Sequence, residues 1–211
     1  MAETFPLSRS ALDGWASPGR HGRADGPAGV IACLVQPLCM AVVMPAPGQA
    51  TACLQRLAAR YGAPPAQLRA RQRVHTASLD LHWSGPQAFL ACMPGELDIE
   101  SELGRVCADT ASVIDQSDGR FMLRLHGPEV RKTLAKGVSL DLHPRSFAPN
   151  DTALTLLSHL TVQLTRVEDM SDGDQKGQTF EIVGPRAAAG ELWAWLQASA
   201  AEFGLELMSG R

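Results

Sequence analysis

The sequence predicts an α+β fold made of two similar α/β halves, preceded by an extended N-terminal arm. Three observations predict it. The chain has 211 residues and is 45% hydrophobic, which is enough for a sizeable core in one domain or two small halves. Residues 1–29 are rich in Gly, Pro, Ser and Ala and show no helical or alternating period. From residue 30 onward, strand and helix patterns recur in a similar order, which predicts an internal repeat.

Residues 1–29 are called the N-terminal arm. A segment of this composition cannot bury enough apolar surface to fold by itself. It nevertheless carries Phe5, Leu7, Leu12 and Trp15. Two interpretations stay open: a disordered terminus, or an arm that becomes ordered against a partner subunit with these side chains as anchors.

The first half is predicted to span residues 30–110. Apolar and β-branched residues divided by Pro37 predict one or two short strands, and Gly62 is a typical helix stop. Leu79, Leu81 and Trp83 alternate before a Ser-Gly-Pro-Gln turn, which is typical of a hairpin. The predicted elements are strands within 33–44, a helix over 46–62, a hairpin over 77–93 and a helix over 96–109.

The second half is predicted to span residues 111–211, and the pattern leaves open whether the halves share one continuous sheet. Pro128 and Gly137 bound a short helix, with proline at its first position and glycine as its left-handed cap. In the closing helix, the predicted buried side chains are Leu192, Trp195, Leu196 and Phe203. The predicted elements are two strands within 112–127, a helix over 128–137, strands over 155–167 and 178–184 around a polar loop, and a helix over 185–204.

Charge and hydropathy exclude several classes of protein. A net charge of −3, from 22 acidic and 19 basic residues, gives no positive field for a phosphate backbone, so nucleic acid is not an expected partner. The start of the sequence lacks a basic and apolar leader. No run approaches the roughly 18 apolar residues of a membrane helix. We therefore expect a cytoplasmic protein.

The cysteines and histidines lack metal-binding spacing. There is no C-x-x-C pair and no H-E-x-x-H motif, and the cysteines lie mostly in apolar runs, which is typical of reduced structural thiols. The glycine fingerprint of flavin or nicotinamide binding is also missing. The sequence therefore predicts no metal and no cofactor in this chain. The five cysteines are Cys33, Cys39, Cys53, Cys92 and Cys107.

The stretch "SLDLHPRSF" is the strongest candidate for chemistry. Asp141 and His143 alternate with leucines, so in an extended segment they would share one face, and Arg145 follows a proline. An aspartate beside a histidine can orient a general base. The alternative is that these side chains fix a loop or contact a partner, since no serine or cysteine stands on a glycine-flanked elbow.

Several segments together resemble one family over nearly the whole chain: "SPGRHG" and "GPAGV" in the arm, "SGPQAFL", "VIDQSDGRFMLRLHGPEVRKTLAKGVSLDLHPRSF", and "LWAWLQASAAEFG". In their order and spacing they resemble the gamma subunit of heterotetrameric sarcosine oxidase. The resemblance implies a fold like the folate-binding domain of the glycine-cleavage aminomethyltransferase (T-protein), with an internal repeat.

The resemblance also implies a division of labour among subunits. In such complexes the alpha and beta subunits hold FAD, FMN, NAD and the tetrahydrofolate site, the delta subunit holds zinc, and gamma has no recognised catalytic residue. The assembly demethylates sarcosine to glycine, with hydrogen peroxide and formaldehyde or 5,10-methylenetetrahydrofolate as products. Another N-methyl amino acid remains an open substrate.

One position departs from the family pattern. The family usually has a cysteine directly after the Lys-Gly pair, where this chain has Val138. Related iron-sulfur repair proteins also use a Lys-Gly-Cys segment, so the valine argues against a thiol function.

We therefore expect a non-catalytic assembly subunit. A stand-alone folate-binding protein is the alternative, and a hydrolase using Asp141 and His143 is a third hypothesis. The candidate subunit-contact residues are Trp15, Arg20, His21, Lys136, Asp141, His143 and Arg145.

Overall fold

Two β-sheets stack face to face, and each carries two helices on its outer side. The computed structural model describes residues 9–62, 68–169 and 177–209. Alternation along each strand sends one set of side chains to the helices and the other set to the opposite sheet. The result is a four-layer α/β/β/α arrangement. The prediction of an α+β fold is confirmed.

The first sheet has five strands, in the spatial order β4-β5-β6-β3-β7. Its outer face packs on helices α1 and α2 through Leu57, Ile99 and Leu103, which are buried. Its elements are β3 (Leu38–Pro45), α1 (Ala50–Tyr61), β4 (Arg73–His75), β5 (Asp80–Trp83), β6 (Phe89–Pro94), α2 (Ile99–Cys107) and β7 (Ala111–Asp115).

The second sheet has seven strands, in the spatial order β1-β12-β2-β8-β11-β10-β9. Its outer face packs on helices α3 and α4, with Leu134, Trp193 and Leu196 in the core. Its elements are β1 (Gly19–His21), β2 (Val30–Leu34), β8 (Arg120–Gly127), α3 (Val130–Leu134), β9 (Thr152–Leu157), β10 (Leu160–Val167), β11 (Gln178–Pro185), α4 (Ala189–Ala200) and β12 (Leu205–Leu207).

The two sheets repeat one topology. In chain order, β3-α1-β4-β5-β6-α2-β7 corresponds to β8-α3-β9-β10-β11-α4-β12. In space, β4-β5-β6-β3-β7 corresponds to β9-β10-β11-β8-β12, with β2 inserted before the last strand. The sequence-based prediction of an internal repeat is therefore confirmed by the strand order as well as by the element order.

The boundary predicted at residue 110 does not coincide with the sheets. Strand β7 pairs with β3 and closes the first sheet, and β2 pairs with β8 and β12 in the second. Each predicted half thus contributes a strand to the other half's sheet. Among the described residues the two sheets are separate, and an isolated bridge between Gln72 and Asp151 links the β4 edge to the β9 edge.

The described part of the N-terminal arm belongs to the fold of this chain. Leu12 is buried in the core of the second sheet, and β1 pairs antiparallel with β12. The amide of Arg23 donates to the carbonyl of Ala201. Of the two interpretations left open for the arm, the disordered terminus is therefore wrong for residues 9–29, and these residues contact their own chain. Phe5 and Leu7 lie outside the described residues.

Three local predictions need correction. The segment 155–167 was expected to be one strand, but it turns at Ser158, which has positive φ, so it contributes to two paired strands, β9 and β10. Helix α3 begins at Val130 and not at Pro128. In α4, Trp193 is fully buried and packs edge-on against His21, whereas Trp195 lies against Gly137 and is only partly buried. None of the helices in the described part of the chain is long and apolar enough to cross a membrane.

Candidate functional site

Polar side chains from both sheets meet in the space between the sheets. Strands β5 and β10 lie against each other, since His82 contacts Thr165 and the side chain of Gln163 donates to the carbonyl of Trp83. Their neighbours β6, β9 and β11 pair with them within the two sheets. We call this group the inter-sheet cluster. It contains Arg73, Asp80, His82, Arg124, Thr152, Gln163, Thr165 and Glu181.

Ion pairs hold both carboxylates of the inter-sheet cluster. Arg73 donates to Asp80 across 2.7 Å, and Arg124 donates to Glu181 across 2.6 Å. The Glu181 side chain is 1% exposed, whereas that of Arg124 is 37% exposed, so only the carboxylate of this pair is removed from water. A buried ion pair is weak evidence for stability, but removing one partner leaves an uncompensated charge and is strongly destabilising.

His82 is fully buried at the centre of the inter-sheet cluster. Its Nδ1 lies 3.0 Å from the hydroxyl of Thr165, which in turn lies 2.7 Å from the hydroxyl of Thr152. Burial lowers the pKa of His82 to about 4, and the nearby carboxylates of Asp80 and Glu181 partly oppose this shift. The imidazole is therefore neutral at physiological pH.

A metal ion is one possible occupant of this group. The ligand atoms of Asp80, His82 and Glu181 all lie within 4.8 Å of one another. Both carboxylates already bind guanidinium groups, however, so the group is charge-balanced without a cation. A divalent ion would add uncompensated positive charge to a buried site. We interpret the inter-sheet cluster as a structural network.

The remainder of the inter-sheet space is apolar and filled. Met40 and Leu90 from the first sheet pack against Met122 and Val183 from the second, and Cys92 completes this group. Together with the inter-sheet cluster, these side chains occupy the space between the sheets in the described part of the chain. This packing does not favour a folate-sized ligand between the sheets.

The Asp141 and His143 pair does not form a catalytic dyad. Asp141 accepts hydrogen bonds from the hydroxyl of Ser146, at 2.6 Å, and from the main-chain amide of His143, at 2.9 Å, so its carboxylate does not hold the His143 ring. These two hydrogen bonds lower the pKa of Asp141. The segment is a turn anchored in the core by Leu142 and Phe147. The loop-fixing interpretation of this stretch is the one that its contacts favour.

Lys136 has a different helix partner from the expected one. Its Nζ donates to the carbonyl of Ser199 and to the carboxylate of Glu202, each at 2.5 Å, and lies over the ring of Phe203. It therefore caps the last turn of α4, where the helix dipole is negative, and not the end of α3.

Gly127 and Gly137 are required for different reasons. Gly127 has a φ of 136°, and a Cβ there would lie 2.4 Å from the carbonyl oxygen of Gly29, so glycine is required as predicted. Gly137 was predicted to be a left-handed cap, but it is not among the residues with positive φ. A Cβ there would lie 2.5 Å from the ring of Trp195, so the close approach of α4 explains this glycine.

The arm candidates lie on or near α4 and β12. Arg20 donates to the carbonyls of Arg23 and Gly26, and His21 lies 3.1 Å from the amide nitrogen of Gln197. Trp15 is 67% exposed, although its ring lies over Gly190 of α4. Arg145 is also exposed. The structure does not bring these residues together with the 141–147 turn into one site.

All five cysteines are free thiols, and Cys33 is the only partly exposed one among them. The sulfur atoms of Cys53 and Cys107 lie 3.7 Å apart between α1 and α2. This hydrogen bond lowers the pKa of Cys53 and raises that of Cys107. Spacing in the sequence does not reveal this contact, because the two residues are 54 positions apart.

One concave surface has a volume of about 350 Å³ and lies at the ends of β2, β3 and β8. Charges of both signs line it, including Arg120, Arg186, Asp115 and Asp118. The positive and negative side chains balance, so this surface has no net charge that would favour an anion or a cation.

The sequence analysis missed the inter-sheet cluster for one physical reason. It used the alternation of Leu79, Leu81 and Trp83 to predict the hairpin and gave no role to Asp80 and His82, which lie on the other face of β5. The second sheet covers that face, so both sets are shielded from water. The sequence signal for this cluster is a charged residue inside an otherwise apolar strand, such as Arg124 in "FMLRL".

Comparison with known proteins gives a consistent family. Residues 45–202 match the model described as the sarcosine oxidase gamma subunit family. The chain is 37% identical over 90 residues to sarcosine oxidase subunit gamma from Corynebacterium sp. (strain P-1), covering 42% of this chain and 44% of that protein. It is also 37% identical over 90 residues to sarcosine oxidase subunit gamma from Arthrobacter sp.. These alignments thus span less than half the length of the curated relatives.

Two solved structures share the fold. One is heterotetrameric sarcosine oxidase from Corynebacterium sp. U-96 in complex with pyrrole 2-carboxylate, with a TM-score of 0.71, 24% identity, and coverage of 87% of this chain and 88% of that chain. The other is glycine cleavage system aminomethyltransferase T from Bartonella henselae, with a TM-score of 0.62, 17% identity, and coverage of 86% and 48%. The predicted likeness to the T-protein fold is confirmed. Because the family model matches most of the sequence, the chain belongs to the sarcosine oxidase gamma subunit family.

Proposed function

We propose that this chain is the non-catalytic gamma subunit of a heterotetrameric sarcosine oxidase and serves in its assembly. The match of residues 45–202 to the gamma subunit family carries this proposal. The likeness to a chain of a heterotetrameric sarcosine oxidase over 87% of this chain supports it. The complex would demethylate sarcosine oxidatively to glycine, with hydrogen peroxide and formaldehyde or 5,10-methylenetetrahydrofolate as products.

The contacts within the chain support an assembly role over a catalytic one. The charged groups of the inter-sheet cluster are ion-paired with one another, and the Asp141 turn binds its own main chain. In the described part of the chain, a paired nucleophile and base facing a cavity was not found. The alternative of a stand-alone folate-binding protein is less favoured, since buried apolar side chains of the described residues pack between the sheets.

The partners in this proposal are the alpha, beta and delta subunits of the same oxidase. FAD, FMN, NAD, zinc and tetrahydrofolate would be bound by these partners. The residues proposed to contact them remain those selected from the sequence. Of these, Trp15, Lys136, Asp141, His143 and Arg145 are exposed, and Arg20 and His21 are partly exposed.

Affinity purification tests the proposal. The tagged chain would be purified from its native host, and the eluate characterised by mass spectrometry, visible absorbance and sarcosine-dependent peroxide formation. We expect larger subunits to co-purify with a flavin spectrum and the oxidase activity. A colourless, solitary chain at near-native expression would contradict the proposal.

A further inference from the structure

Strand β9 is an unusual sheet edge. Its sequence, "TALTLL", has no charged residue and no proline, and it is six residues long. Two of its side chains, Leu154 and Leu156, are 49% and 51% exposed. Natural sheet edges are usually protected by charge, proline, shortness or cover, because an open apolar edge pairs with other chains.

The other three edges are protected in these ways. Strands β1 and β4 have three residues each and contain Arg20 and Arg73. Strand β7 ends in Asp115, whose amide lies 3.5 Å from the carboxylate of Glu100 on α2. Strand β4 is the counterpart of β9 in the internal repeat, so the two corresponding edge strands can be compared directly. The long uncharged edge is a property of the second repeat alone.

The main chain of β9 is open at its centre. The amide of Thr152 donates outward to Arg71, and that of Ser158 donates outward to Gly137. Because hydrogen-bonding directions alternate in an antiparallel pair, the amides and carbonyls of Leu154 and Leu156 also point away from β10. Both ends of the edge are therefore paired within the chain, and no described residue pairs with the outward main-chain groups of Leu154 and Leu156, so the middle can accept another strand.

The two leucines add an apolar surface to this main-chain edge. Alternation places Leu154 and Leu156 on the same face as the buried side chain of Thr152, which is the face that meets the first sheet. The first sheet stops short of them, so their side chains remain exposed. A strand added here would gain main-chain hydrogen bonds and leucine contacts together, which is the chemistry of β-strand addition.

We propose that the open edge of β9, centred on Leu154 and Leu156, binds a short extended segment of an unlike subunit with apolar side chains at alternating positions. This inference rests on the proposed function. An unlike subunit is favoured over a second copy because the chain belongs to a gamma subunit family and its fold matches a chain of a heterotetramer. The edge between Arg71 and Gly137 admits about four residues at roughly 3.4 Å each.

The test compares lysine substitutions at exposed apolar positions. The chain would be co-expressed with its partner subunits as wild type, Leu154→Lys, Leu156→Lys and the control Met208→Lys, a residue that is 47% exposed beyond β12. We expect each β9 variant to weaken recovery of the complex by about tenfold or more, since a charge cannot be buried there without cost. The Met208 control should assemble as wild type does.

Three further variants and a stability measurement keep the test independent of folding. The thermal midpoint of each isolated chain is measured, and Leu156→Gln replaces Leu156→Lys if lysine lowers that midpoint. Leu156→Pro removes an outward amide without breaking the ladder to β10, so it should weaken assembly more than Leu156→Ala does. Equal assembly of the proline and alanine variants would overturn the main-chain part of the proposal.

The outcomes separate this inference from the proposed function. If the wild-type complex forms and the β9 lysine variants assemble equally well, the proposal that the β9 edge binds a partner is overturned, and the subunit assignment remains. A wild-type chain that binds no partner overturns both. A homodimer of the isolated chain that Leu156→Lys dissociates also overturns the proposal, in favour of a second copy as the occupant.

Discussion

Replacing His82 with asparagine should remove most of the pH dependence of folding stability between pH 7 and pH 5. The imidazole is fully buried, and burial lowers its pKa from 6.5 to about 4. In the unfolded chain the ring takes up a proton near pH 6.5, whereas in the folded chain it stays neutral down to about pH 4. Stability therefore rises with pH across this window.

The magnitude follows from the two pKa values. The stability that depends on a neutral His82 is fully present above pH 6.5 and is lost as the pH falls toward 4. The difference between the two pKa values corresponds to about 3 kcal/mol of unfolding free energy. Between pH 7 and pH 5 the wild-type chain should lose about 2 kcal/mol from this group. For a chain of this size, that is a fall in thermal midpoint of about 4–8 °C.

Urea unfolding followed by tryptophan fluorescence at pH 7 and pH 5 measures this loss. His82→Asn should be less stable than wild type at pH 7, because its bond to Thr165 is altered, but it should lose less on acidification. His143→Asn is the matched control, since its ring is exposed, and it should keep the wild-type pH dependence. Equal losses in wild type and His82→Asn would refute the reasoning.

Two further substitutions address the N-terminal segment. Leu12→Ala should lower the free energy of unfolding by about 2–3 kcal/mol, because it empties a site in the core of the second sheet, as urea denaturation would show. Gly127→Ala should cost about 3 kcal/mol or more, since its φ of 136° is strained for alanine and the new Cβ meets the main chain of Gly29. Its thermal midpoint, compared with wild type, measures this effect.

Each of these substitutions has a control in the same chain. Trp15→Ala lies three residues from Leu12, but its side chain is 67% exposed, so its effect should be well below that of Leu12→Ala. Gly119→Ala places a Cβ at ordinary contact distances, with the nearest atom 3.7 Å away, and should cost less than about 1 kcal/mol. A Leu12→Ala chain as stable as wild type would show that the arm is not part of the fold.

The local elements were predictable because their signals are local. Pro37 separates β2 from β3, Gly62 ends α1, and alternation identifies the hairpin of β5 and β6. Strand partners were not predictable in the same way. The pairing of β2 with β8 and β12 depends on contacts between distant residues, which hydrophobic period does not encode.

The candidate site illustrates the same limit. Asp141 and His143 are close in sequence, but a turn directs the carboxylate to main-chain and hydroxyl donors. His82 and Glu181 are nearly a hundred positions apart, and only the stacking of the two sheets joins them. Polar residues at alternate positions of a strand indicate a solvent-exposed face only when no second sheet packs on that face.

The insertion of β1 and β2 into the second sheet has a consequence for folding during synthesis. The first repeat, β3 to β7, is contiguous in sequence and can form while the ribosome is still translating β8 to β12. Strand β1 must wait, because its neighbour β12 is translated after all the other strands of the second repeat.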